Sequence, residues 1–259
     1  MPGDAARRLA ELMLHSERTV ALTGAGISVP SGIPDFRSPG TGLWERVDPM
    51  EVAHIDVFRR DPERFWAFYG QRFQTLKDKR PNRAHELLAQ LERSGLVQAV
   101  ITQNIDGLHR RAGTRELVEV HGTIAHSSCL RCGGSYRLEE VRARQAPDGR
   151  GVPRCDCGEP LKPDVVLFGE YLPARVFERA AQLAEQADLM LCIGSSLEVY
   201  PVAELPLRTL AVGGRLAIIT RSPTPLDGRA ASRSDGDVVD ELEALARELE
   251  LTSARLAPS

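Results

Sequence analysis

At 259 residues the chain is long enough for one large domain or one domain carrying a small insertion. Its 42% apolar and 27% charged residues suit a protein with a real core and argue against a disordered chain. Thirty-three basic against 36 acidic side chains leave a net charge of −3, without the basic excess that electrostatic nucleic-acid binding requires.

Taken in chain order, Ala5–His15 reads as an amphipathic helix leading into the apolar run Val20–Leu22. Ala84–Arg93 is a second such helix, stopped by Gly95 before the run Val97–Ile101. Ala174–Glu185 precedes Leu189–Ile193. A fourth run, Leu216–Ile219, is followed by the closing helix Val238–Leu249. Each run ends in polar or glycine-rich residues, as buried strands with ligand-facing loops at their C-terminal ends do. The alternation predicts a Rossmann-like α/β fold, a parallel sheet with helices on both faces and ligands bound outside the strand C-termini.

Two stretches interrupt the alternation. An aromatic-rich helical insertion is expected over 39–80, punctuated by Pro49, Pro62 and Pro81. A second insertion, 123–163, holds Cys129, Cys132, Cys155 and Cys157. The remaining parts, 1–38, 81–122 and 164–259, form the larger fold of a single domain spanning 1–259. Two cysteine pairs at this separation predict a four-thiolate zinc site, closed and therefore structural. The tight Cys155-Asp156-Cys157 spacing is expected to work through an extended segment, where residues two apart share a face. Cys192, inside an apolar run, is expected to be a core filler.

No run approaches the ~18 consecutive apolar residues of a membrane span, and the N-terminus lacks a secretory core. The expected setting is cytoplasmic, without membrane or direct nucleic-acid partners. The oligomeric state is left open, a monomer being compatible. Arginine supplies all but three of the cationic side chains, the exceptions being Lys77, Lys79 and Lys162.

Thr23-Gly24-Ala25-Gly26-Ile27-Ser28 follows the first strand directly. Gly24 and Gly26 are expected to allow positive φ and close backbone approach, as a pyrophosphate cradle requires. The third glycine of the dinucleotide fingerprint is missing, Val29 standing in its place, and no acidic strand end follows to hold a ribose. An ordinary NAD dehydrogenase is thereby disfavoured. Asn104 and Asp106 fall at the second strand's end, where an Asx turn and helix cap would be the bland reading. His121, at the end of Leu117–Val120, is placed to project into the crevice and titrates in the range of a general base.

With Gly32-Ile33-Pro34-Asp35-Phe36-Arg37-Ser38, Thr102-Gln103-Asn104-Ile105-Asp106, His121-Gly122, Phe168-Gly169-Glu170, Gly194-Ser195-Ser196-Leu197 and Thr224-Pro225-Leu226-Asp227, the chain resembles the sirtuin family of NAD-dependent protein-lysine deacylases over essentially its whole length. The resemblance implies NAD as co-substrate, structural Zn2+, and acylated proteins or peptides as partners. It implies that the acyl oxygen attacks C1′ of the nicotinamide ribose and expels nicotinamide. His121 then serves as base, Asn104 assists, and free lysine and O-acyl-ADP-ribose leave.

Gly24, Ala25, Gly26, Gly194, Ser195 and Ser196 would hold the phosphates. Gln103, Asn104, Ile105 and Asp106 would hold the nicotinamide side, and Asp35, Phe36 and Arg37 would close over it. Thr220, where relatives usually carry Asn, and Val238 would meet the adenosine. Val166, Phe168, Glu198 and Val199 would flank the acyl-lysine, the peptide pairing as a strand between the segments Val165–Glu170 and Ser196–Tyr200.

Tyr69 and Arg72, three apart on a helix, resemble the pair used by the sirtuin branch that removes acidic acyl groups, which implies succinyl- or malonyl-lysine turnover beside acetyl. Arg72 could equally reach solvent beside Tyr69 as a cation–π pair. Mono-ADP-ribosyl transfer on the same scaffold, or a non-catalytic NAD and zinc interaction module, are the alternatives.

Overall fold

The computed structural model describes residues 2–35, 47–146, 148 and 150–256. Six parallel strands form its main sheet: β1 (Thr19–Thr23), β2 (Ala99–Thr102), β3 (Leu117–Glu119), β7 (Leu189–Ile193), β8 (Arg215–Ile219) and β9 (Ser232–Ser234), in the order β3-β2-β1-β7-β8-β9. The chain builds outward from β1 to β3, then returns to the other side of β1 and builds outward again. The reversal lies between β1 and β7, where an open parallel sheet leaves a crevice at its strand C-termini.

β1, β2 and β7 are buried at every position, which explains their uninterrupted apolar runs. Their side chains alternate between two cores. Ala21, Val100, Leu191 and Ala217 pack with Leu9 and Met13 of α1 (Pro2–Leu14), Leu87 and Leu88 of α5 (Arg83–Arg93), and Leu242 and Leu245 of α10 (Val238–Leu256). Val20, Leu22, Ile101, Met190, Cys192 and Ile218 pack on the opposite face with Ala180 and Ala184 of α8 (Ala174–Gln186) and Leu205 of α9 (Leu205–Ala211). The result is three layers, with Cys192 an inert filler whose thiol is pushed up to about 12 by burial.

A third core lies off the sheet. It joins α3 (Ile55–Arg60) and α4 (Pro62–Lys77), through Phe58, Phe65, Trp66 and Phe73, to the antiparallel sheet β5-β4-β6, made of β4 (Gly122–Cys129), β5 (Ser135–Arg137) and β6 (Leu161–Val165). α2 (Pro49–Val52) precedes α3, α6 (Leu108–Ala112) follows β2, and α7 (Leu138–Ala143) follows β5. The Trp66 indole N–H donates to the Leu161 carbonyl at 3.0 Å, so the polar edge of this buried ring is satisfied by β6 itself.

Candidate active site

The strand ends enclose a cavity of about 1110 Å3, at the large end for a small-molecule site. Across the sheet it is lined in strand order by His121 beyond β3, Gln103, Asn104 and Ile105 beyond β2, and Gly24, Ala25 and Gly26 beyond β1. Gly194, Ser195 and Ser196 follow beyond β7, then Thr220 beyond β8 and Val238 at the start of α10. Asp35, Tyr69, Val166, Phe168, Glu198 and Val199 also line it. Phe36 and Arg37 lie outside the described residues.

The glycine loop differs from expectation in its physics. Gly24 is extended (φ −124°), and neither it nor Gly26 has positive φ. Space is what demands glycine here: a Cβ on Gly24 would sit 2.7 Å from the Gly194 carbonyl oxygen, and one on Gly26 2.7 Å from the Gly194 Cα. The left-handed residue is Gly194 itself, at φ +61°. The loops after β1 and β7 are thus pressed backbone to backbone at the switch point. A short 3-10 helix, Ala25–Ser31, then leads away.

Polar side chains tie the strand ends together. Gln103 Nε2 donates to Ser195 Oγ at 2.8 Å, bridging the loops after β2 and β7. Asn104 Nδ2 donates to the Gly24 carbonyl at 3.0 Å and to Ser28 Oγ at 3.2 Å, which fixes the orientation of its amide. Ser28 Oγ in turn donates to Asp106 Oδ2 at 2.7 Å, while Asp106 Oδ1 accepts the Leu108 N–H at 2.9 Å. Asp106 is absent from the lining residues of the cavity, and burial raises its pKa against those two hydrogen bonds. The bland reading of Asp106 as a helix cap holds together with its place in this network.

His121 lies with Nδ1 3.0 Å from the Gln103 carbonyl oxygen. A carbonyl can only accept, so Nδ1 carries the proton and Nε2 keeps its lone pair. Burial lowers the imidazole pKa, and the Gln103 hydrogen bond opposes that, so the ring is neutral at physiological pH.

The four paired cysteines converge. All their Sγ atoms lie within 4.8 Å of one another, with Cys129 and Cys157 at 3.5 Å and Cys132 and Cys155 at 3.4 Å. Sulfurs ~2.3 Å from a tetrahedral Zn2+ stand about 3.8 Å apart, so the donor set and spacing fit zinc. Cys155–Gly158 is a turn and not the expected extended segment: the Gly158 N–H donates to the Cys155 carbonyl at 2.8 Å, with Gly158 at φ +90°. The turn, rather than strand alternation, brings two sulfurs separated by one residue to the same centre.

Residues 24–201 match the Sir2 family. The chain belongs to that family. Among sirtuin relatives, an NAD-dependent protein deacetylase of Sulfolobus acidocaldarius is 50% identical over 222 residues, 86% of each chain. A Sir2 structure with deacetylated p53 peptide and 3′-O-acetyl ADP ribose superposes with a TM-score of 0.87 at 43% identity, covering 93% of this chain and 96% of that one. A Sir2 complex with p53 peptide and NAD+ gives 0.86 at 42% identity, covering 94% and 98%.

The sirtuin segments expected to pair with a peptide are not regular strands. In Val165–Glu170 only Val165 belongs to β6, and beyond it Phe168 makes a single parallel bridge with His54. Ser196–Tyr200 is irregular, with Leu197 at φ +55°. Tyr69 reaches the cavity, stacked on Phe65 at 4.5 Å, and its phenol is pushed up to about 12 by burial, with Arg72 opposing. Arg72 is not part of the lining. Its guanidinium lies 5.8 Å over the ring of Phe68, so the cation–π partner is Phe68 and not Tyr69.

Sequence reasoning assigned no place to Ser28, His85 or His109. Ser28 joins Asn104 to Asp106, and its Oγ lies 3.5 Å from His85 Nε2. His109 Nε2 lies 2.9 Å from Thr23 Oγ1. The signal for His85 was its register, on the stripe shared with Ala84, Leu87, Leu88 and Leu91.

Proposed function

We propose that this sirtuin removes acyl groups from protein lysine side chains with NAD as co-substrate, releasing nicotinamide, O-acyl-ADP-ribose and free lysine. The observation that carries the reading is the order of groups across the sheet. His121 and Asn104 stand at one end, the paired glycine loops at the switch point, and Thr220 and Val238 at the other end. Five strands at ~4.8 Å spacing span roughly 19 Å, the scale of an extended dinucleotide.

NAD brings the electrophilic ribose carbon and the nicotinamide leaving group. The chain's own residues do the rest. Gly24, Ala25, Gly26, Gly194, Ser195 and Ser196 offer backbone and hydroxyl groups to the phosphates at the switch point, where the loops after β1 and β7 press together. Gln103, Asn104 and Ile105 face the nicotinamide end, with Asp106 holding Asn104 in place through Ser28. Asp35, with Phe36 and Arg37, belongs to the segment assigned to cover that end. His121, protonated on Nδ1 by its bond to Gln103, presents Nε2 as the general base for a ribose hydroxyl. Val166, Phe168, Glu198 and Val199 flank the acyl-lysine. Four zinc thiolates and a free Cys192 suit a reducing, cytoplasmic setting.

The acyl range is the finer part of the reading. Tyr69 offers its phenol on the cavity wall, and the nearby Arg72 charge acts on it. Burial lowers the Arg72 pKa and Tyr69 opposes that, an effect to which the carboxylate of an acidic acyl group would add. Succinyl- or malonyl-lysine is therefore turned over beside acetyl-lysine. Assays with NAD and acetyl- or succinyl-peptide test both parts. Acyl loss that needs NAD supports the function. A roughly 10- to 100-fold drop in succinyl kcat/KM in Arg72→Met, with acetyl turnover little changed, supports the acidic range. Wild-type indifference to succinyl-lysine removes it.

A further inference from the structure

An ion pair lies at the cavity rim, with Lys162 buried and Glu170 half-buried on the cavity lining, in a position that neither the NAD contacts nor the general base explains. Lys162, on β6, is 8% exposed and is the only lysine or arginine in the buried set of the described residues. Its ammonium meets three acceptors: Glu170 Oε2 at 2.9 Å, the Val165 carbonyl at 2.9 Å and the Pro163 carbonyl at 3.2 Å. An ammonium has three donors, so all are used. The same Glu170 oxygen accepts the Leu167 N–H at 2.9 Å, and the Glu170 N–H donates to the Leu167 carbonyl at 3.0 Å. Leu167-Phe168-Gly169-Glu170 is thus a closed loop on the rim, tied at its neck to Lys162.

The other side of this loop is also fixed. The Phe168 N–H donates to the Ala53 carbonyl at 3.0 Å, and its carbonyl accepts the Ile55 N–H at 3.0 Å. Gly169 sits at φ +82°, where a Cβ would lie 2.5 Å from His54 Nε2. The residue type at 162 carries information too. All but three of the 33 cationic side chains are arginine, yet the buried one is lysine. A compact ammonium can satisfy two carbonyls and a carboxylate around one point, which a planar guanidinium cannot.

We infer that Lys162 is a positioning residue for the acyl-peptide: through Glu170 it sets the shape of the 167–170 loop on which the substrate lies. The inference rests on the proposed role of Val166 and Phe168 as the substrate wall. Without the ammonium, the Glu170 carboxylate is left without its cation and turns toward water, releasing the Leu167 N–H. The peptide then meets a loop of altered shape, while the NAD end across the sheet is untouched.

The test compares Lys162→Met, Glu170→Gln and the double variant with wild type. The readouts are steady-state kinetics and the Kd of a fluorescent acetyl-lysine peptide measured by anisotropy. Each single variant is expected to weaken peptide binding and peptide kcat/KM about 10- to 100-fold, with KM for NAD within about twofold. The double variant should be no worse than the poorer single one, because both changes break one unit. Should Lys162→Met fail to fold, Glu170→Gln, which keeps the side-chain shape, carries the test on its own. Peptide Kd equal to wild type in a folded variant, or additive losses in the double variant, overturns the clamp alone. A wild-type chain that binds no acyl-peptide overturns the clamp together with the substrate reading beneath it.

Discussion

Gly26 donates its N–H to the carbonyl of Gly194 at 2.8 Å, and neither residue has room for a methyl group. A Cβ on Gly194 would fall 2.4 Å from the Ile27 nitrogen, and its φ of +61° adds strain for any L side chain. The contact joins the two halves of the sheet at their reversal, so it couples fold stability to the shape of the phosphate cradle.

Gly194→Ala is therefore expected to cost about 2–4 kcal/mol in urea unfolding and to abolish the rise in Tm that NAD gives the wild type. Gly228→Ala is the control, since a Cβ there meets nothing within 4 Å. It should stay within about 0.5 kcal/mol of wild type. Equal behaviour of the two variants would falsify the steric account.

His121→Ala should lower kcat by about 10²–10⁴-fold with little change in Tm, because general-base assistance is lost and the fold is not. The pH profile follows from the lowered pKa. The neutral ring is the active base, so the acid limb of kcat/KM lies below the ordinary 6.5 of a histidine. An acid limb above that value, or near-wild-type turnover by the variant, removes His121 from the mechanism.

Stability should depend on pH through two other histidines. His85 and His109 are buried neutral, with pKa values lowered to about 4 and about 3, chiefly by desolvation. Their rings meet edge to face at 4.8 Å, and Nδ1 of each has no hydrogen-bond partner among the described residues. The unfolded chain binds protons at these groups below about 6.5, whereas the folded chain resists until near 4. Stability is fully present above 6.5 and is lost as pH falls toward 4, on the order of 3 kcal/mol for His85 alone. Urea unfolding at pH 7.5 and pH 5 should show the loss in wild type and a smaller one in His85→Gln.

Zinc removal should be felt beyond the cysteines. Cys129 and Cys155 belong to the same core as Phe65, Trp66 and Phe73 of α4 and Leu161 of β6. Structural zinc contributes roughly 10–16 kcal/mol of apparent free energy in small thiolate sites, so stripping it should unfold this core and abolish turnover. Metal content, the melting profile and activity are measured together after chelation. Full activity with an unchanged melt at zero zinc contradicts the structural role.

Much of the architecture was legible because the central residues of β1, β2, β7 and β8 are buried on both faces and are apolar. β9, with the sequence Ser232-Arg233-Ser234, carried no such signal. It is an edge strand held by backbone pairing with β8, and Arg233 turns to Asp227 at 3.0 Å. In the site, the lining groups were legible through motif order, but the supporting ones were not. Ser28 and His85 act through contacts between the 3-10 helix after β1, the loop after β2 and α5 that no local spacing encodes. Glycine at 24 and 26 was legible as a need for closeness; that the neighbour is Gly194, about 170 residues away, is a fact of sheet order. The cysteine spacing announced a metal while concealing the turn that makes it possible.

The most direct test of the account is a product balance from purified protein, NAD and an acetyl-lysine peptide, followed by mass spectrometry. The account predicts equal amounts of nicotinamide, deacetylated peptide and O-acetyl-ADP-ribose, none of them formed when either substrate is omitted. Nicotinamide release without deacetylated peptide, with ADP-ribose found attached to protein instead, would contradict it.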